Sequence, residues 1–95
     1  MITTKPHKPL TQISIDIPHT MELKERPELN GWQKLFDFPN GHKASVVFHD
    51  HSYGLELALL NKDGMIIQHP EITNDVEGFL SPDGAEYLLN KIAKL

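Results

Sequence analysis

A chain of 95 residues with a net charge of −4 and no cysteine makes one small domain with a single core, without disulfides, thiolate metal sites or a cysteine nucleophile. No apolar run approaches the ~20 residues that cross a bilayer. The charge is uneven, with six Lys or Arg against five Asp or Glu in residues 1–49 and three Lys against eight Asp or Glu in residues 50–95, the reverse of the basic stripe that a nucleic-acid binder carries.

Residues 1–10 hold two prolines, two lysines and a histidine, with little to pack, and read as a flexible arm ahead of a single domain spanning 11–95. MITTKPHKPLTQ lacks the apolar core of a signal peptide, so a cytoplasmic protein is expected. From Thr11 to Ile17 the residues alternate, with Ile13, Ile15 and Ile17 on one side and Gln12, Ser14 and Asp16 on the other. That pattern predicts a half-buried strand, closed by Pro18. His19 to Asn30 reads as a polar connection in which MELKE forms a helical turn and Pro27 stops anything longer. Gly31 opens the second predicted strand, which carries Trp32, Leu35, Phe36 and Phe38. Pro39-Asn40-Gly41 is a turn, since Asn-Gly tolerates the positive φ of tight hairpins.

Ala44 to Phe48 is β-branched and aromatic and should pair back on the second strand. A polar loop, His49 to Gly54, leads to a strand in which Leu55, Leu57 and Leu59 alternate with Glu56, Ala58 and Leu60. Asn61-Lys62-Asp63-Gly64 is a further turn, and Met65 to Gln68 a short last strand. The period then changes. Ser81 suits an N-cap, with Pro82 at the first helical position and Asp83 in the first turn. Ala85, Leu88, Leu89 and Ile92 follow the i, i+3, i+4, i+7 spacing of one buried helical face.

The chain therefore predicts an α+β domain: an antiparallel sheet of four to five short strands with a C-terminal amphipathic helix packed on one face. Ile13, Ile15, Val46, Phe48, Leu57, Leu59 and Ile66 should meet Leu88, Leu89 and Ile92 in the core. Trp32 is expected to cap it.

Six histidines are the first place to look for chemistry. His49 and His51 would share a face in an extended segment, and two imidazoles can reach one metal. Beside Asp50 they could serve a metal-assisted hydrolase. The plainer alternative is a pair of solvated loop histidines, because no established ligand spacing such as HExxH occurs. Ser45 and Ser52 bring no oxyanion hole with them. The glycines form neither GxGxxG nor a P-loop. No cofactor is expected. Between Glu71 and Glu86 stand five acids and no base: Glu71, Asp75, Glu77, Asp83 and Glu86. With the aromatic Tyr53 they make a candidate surface for a protein partner that is itself basic. The alternative is that the acids serve solubility.

The block from Phe38 to Ile92 resembles small phage- and prophage-type proteins of unknown function. The features that carry the resemblance are FPNGHKASVVFH, then YG followed by LELALLNKDG, then ITNDVEGFLS and an amphipathic helix. The N-terminal third has no counterpart in it. The resemblance implies a compact α+β domain that acts by binding rather than catalysis, in the host cytoplasm, as a modulator of a host protein. The expected function is thus a non-enzymatic protein-binding module. The alternatives are the hydrolase and a self-associating protein that pairs edge strands.

Overall fold

Turn chemistry sets the register of the sheet. Asn40 and Gly41 reverse the chain with Gly41 at φ +88, and Phe38 N–H donates to the His42 carbonyl at 3.0 Å. Asn61 and Gly64 do the same further on, the Asn61 side-chain oxygen accepting the N–H groups of Asp63 and Met65. In the computed structural model, which describes residues 8–73 and 75–95, these turns lie within an antiparallel sheet in simple chain order. Its strands are β1 (Thr20–Arg26), β2 (Gly31–Asp37), β3 (Lys43–Phe48), β4 (Glu56–Leu60) and β5 (Val76–Glu77), followed by the helix α1 (Pro82–Ala93). The α+β class, the antiparallel sheet and the C-terminal helix packed on it are as the sequence predicts. No helix among the described residues is long and apolar enough to cross a membrane.

The helix starts as its residues dictate. Ser81 Oγ accepts the Gly84 N–H at 3.0 Å, and Pro82 and Asp83 fill the first turn. At its other end the Asn40 amide reaches over from the hairpin and donates to the Ile92 carbonyl at 2.8 Å, satisfying one of the acceptors a helix leaves open. Ala85, Leu89 and Ile92 are fully buried against Trp32, Val46, Leu57 and Leu59, and Leu88 is partly buried beside them.

The strand assignments change in three places. Thr11 to Ile17 keeps its alternation of burial but joins no ladder. It is an extended strap, with Ile13 and Ile15 packed on the core. Side chains hold it where a strand would use backbone. The Trp32 indole donates to the Pro9 carbonyl at 3.0 Å, Lys34 Nζ to the Thr11 carbonyl at 2.7 Å, and the Ser14 N–H donates to a Glu86 carboxylate oxygen at 2.7 Å. Residues 8–10 of the expected arm are likewise tied, since the Lys8 N–H donates to the Asn30 carbonyl at 3.2 Å. Residues 1–7 lie outside the described residues. The first strand of the sheet is instead TMELKER, where a helical turn was expected. A short 3₁₀ turn, Pro27–Leu29, and Asn30 at φ 56 fold it back on β2, so that all its residues pair, from Thr20 opposite Asp37 to Arg26 opposite Gly31. Pairing decides here, because MELKE is too short and too polar for a period to show.

Met65 to Gln68 makes only a single bridge, Ile66 with Leu60, and Pro70 follows. The edge beside β4 belongs to Val76–Glu77. The parity of that segment is also reversed. Ile66 is exposed, and Ile67 is the one that packs against the core.

Candidate functional site

The loop between β3 and β4 is built by its own side chains. Ser52 Oγ accepts the His49 N–H at 3.0 Å and lies 2.6 Å from the Gly54 carbonyl. The His51 N–H donates to His49 Nδ1 at 3.0 Å. His69 repeats the device, its Nδ1 accepting the Glu71 N–H at 3.2 Å. Both imidazoles therefore act as turn-formers, in the way an Asx side chain does. Asp50 faces elsewhere, toward Lys8 at 3.8 Å. His49 and His51 are neighbours, their ring centroids 6.4 Å apart, but the His49 nitrogen nearest the loop is committed to its backbone. Among the described residues no three His, Asp or Glu side chains form a group able to hold a metal ion. Ser45 is equally engaged, its hydroxyl accepting from the Gln33 amide at 2.9 Å.

The loop delivers Tyr53 to the surface, 62% exposed. Its N–H donates to a Glu56 carboxylate oxygen at 2.9 Å. Beside it runs the segment that joins β5 to α1, which must turn within residues 78–81. Gly78 lies directly against Tyr53: a Cβ added there would sit 2.6 Å from the Tyr53 Cβ. Phe79 comes next. Its N–H donates to the Tyr53 carbonyl at 2.6 Å, and its ring stands 6.1 Å from the Tyr53 ring. Phe79 is 81% exposed at a φ of +53. The left-handed region costs a non-glycine residue about 1–2 kcal/mol, and hydrophobic burial repays none of it here. Leu80 then turns inward onto the core, so the strain leaves one large apolar side chain inside and its neighbour outside.

The acids predicted as one surface divide. Asp75 is exposed and Glu77 half-buried on β5, two residues from Phe79. Glu71 is exposed in the turn beyond His69, and Asp83 is exposed in the first helical turn. Glu86 is half-buried and holds the strap through Ser14, which makes it a structural group. The sequence singles out Tyr53 as a candidate and gives no prominence to Phe79. The available signal was the pair Phe79-Leu80 immediately before a helix cap, where two large apolar neighbours cannot both turn inward.

The face of the sheet opposite the helix is uncovered and shapes a concavity of about 700 Å³. An Arg26–Gln33–Ser45 row crosses it, with Arg26 donating to the Gln33 side-chain oxygen Oε1 at 2.7 Å, and Lys43 and Asp37 pair at 3.5 Å. His49 and Glu56 line it, but both are engaged by the loop as described. Compared with protein-family models, curated proteins and solved structures, the chain matches none.

Proposed function

We propose that this protein is a non-enzymatic binding module that docks on another protein through the Tyr53–Phe79 knob, with Asp75 and Glu77 alongside. The observation that carries this reading is Phe79, an aromatic ring 81% exposed on a backbone at φ +53. Backbone strain kept at an exposed side chain is characteristic of sites that serve a ligand. Exposed aromatic anchors supply most of the energy of protein interfaces. The fitting partner offers an apolar cleft for two rings and basic groups beside it, and complementary charge would mainly speed association. The phage-type resemblance of residues 38–92 supports a host protein as that partner.

The test exploits the strain. Asn tolerates the left-handed region, so Phe79→Asn should leave stability unchanged or raise it by up to about 1 kcal/mol. The same change, combined with Tyr53→Ser, should abolish capture of a partner from host lysate. Reversing the charge of Asp75 and Glu77 should weaken capture and reduce its dependence on salt. Capture that survives the double aromatic change would overturn the knob as the contact.

A further inference from the structure

The two edges of the sheet differ in length. β5 offers two residues, while β1 offers seven, and among the described residues no strand lies on the outer side of β1. An edge of that length is a template for another strand, which natural proteins blunt with charge. β1 carries charges, but in a particular order. Leu23 is its middle residue, with Glu22 before it and Lys24 after it. Neither Glu22 nor Lys24 has an ion-pair partner among the described residues.

We propose that β1 is a homodimerisation strand, two copies of the chain pairing antiparallel along Thr20–Arg26 about a two-fold axis through Leu23. In this register every residue of the strand is paired. Each Glu22 stands opposite the other copy's Lys24, giving two opposite-charge cross-strand pairs on the open face. Thr20 stands opposite Arg26. On the helix side Leu23 meets its own copy. Met21, 45% exposed, and Leu23, 40% exposed, are covered there. A slip by one place about the same kind of axis sets Glu22 against Glu22 or Lys24 against Lys24, so the charges that discourage other registers select this one. The axis is perpendicular to the sheet. It keeps both helices on one side and places the two concavities side by side on the other. The interface is isologous and closes at two copies. It is also small, so the dimer is a weak one that forms with rising concentration.

The test is a charge exchange read by sedimentation velocity on the full chain. Glu22→Lys and Lys24→Glu each turn two attractive pairs into two like-charge pairs and should weaken self-association by about tenfold. Glu22 is exposed and Lys24 half-buried on the open face, and circular dichroism should be unchanged. Mixed in equal amounts, the two variants should associate at least as well as the original chain, because each then faces the opposite charge. Amide protection along β1 should rise with concentration. Phe79→Asn should leave the dimer intact, since the knob is elsewhere. The proposal fails if the original chain stays monomeric to about millimolar concentration, if either variant self-associates undiminished, or if the mixture does not associate.

Discussion

Two faces of one sheet are made from alternate residues of the same strands, and they have little in common beyond the backbone. On the helix side Trp32, Val46, Leu57 and Leu59 are fully buried beneath Leu89 and Ile92. On the open side Leu35, Val47 and Leu60 share a concavity with Lys24, Arg26, Gln33 and Glu56. The first face carries the stability of a domain this small. The second stays open, with charged and apolar side chains standing side by side. The difference teaches that alternation in a strand marks two environments but does not say which will be filled. The helix and the strap make that decision.

The sharpest way to break the comparison is to remove one leucine from each face. Leu57→Ala empties a site with no exposure and should cost about 2–5 kcal/mol. That is a large part of the ~5–15 kcal/mol that holds a small domain together. Leu35→Ala on the open face should cost less than about 1 kcal/mol. Urea midpoints measure both. Similar losses from the two would mean that the open face is buried in solution.

A smaller effect sharpens the role of the strap. Trp32→Phe keeps a ring in the core and removes the indole N–H that holds the Pro9 carbonyl. The expected loss is about 1–2 kcal/mol, with faster amide exchange at Lys8, whose N–H bonds to Asn30. Exchange unchanged at Lys8 would show that the indole bond is not what ties down this end of the strap.

How much of this was legible in the sequence follows from where the signal was local. The helix was read correctly because Ser81, Pro82 and the Ala85–Ile92 stripe define it within a dozen residues. The Asn40-Gly41 and Asn61–Gly64 turns were legible for the same reason: each needs particular residues at particular φ. β1 was not legible, because its partner β2 and the turn between them make it a strand, while its own composition is polar. The strap was half legible. Ile13 and Ile15 face inward as their alternation says, but its partners are the side chains of Trp32, Lys34 and Glu86, and no local pattern encodes those. Ile66 and Ile67 differ only by the phase at which the chain leaves the Asn61–Gly64 turn. At the candidate site Tyr53 could be guessed from its loop. Phe79 depends on a backbone kink between β5 and α1, and His49 on a turn that occupies its nitrogen. Both are consequences of tertiary geometry.

The subtlest prediction concerns the exception on the covered face. Lys34 lies on the helix side of β2, opposite Val46, and is only 6% exposed. Its ammonium donates to the Thr11 carbonyl at 2.7 Å and stands 5.4 Å from the centre of the Trp32 ring. Burial disfavours its charged form and lowers its pKa below the ordinary 10.5. Below the lowered value both folded and unfolded chains hold this proton, and folding bears the full cost of burying the charge. As the pH rises through the lowered value, the folded protein releases the proton first. Between that value and 10.5 the unfolded chain binds more protons, so the contribution of Lys34 to stability rises with pH. Above 10.5 both states are neutral and the contribution levels off. The neutral amine can still donate to Thr11, so the strap contact is retained. Lys34→Met removes the titration while filling a similar volume. The difference in stability between the original chain and this variant, measured by urea unfolding from about pH 8 to about pH 11, should shift in favour of the lysine as pH increases. Taking the difference cancels the other lysines and the tyrosines, which titrate in the same range. A flat difference would mean that Lys34 reaches water in solution. A difference that falls with pH would mean that the folded protein favours the ammonium, through the Thr11 carbonyl and the Trp32 ring, by more than burial costs it.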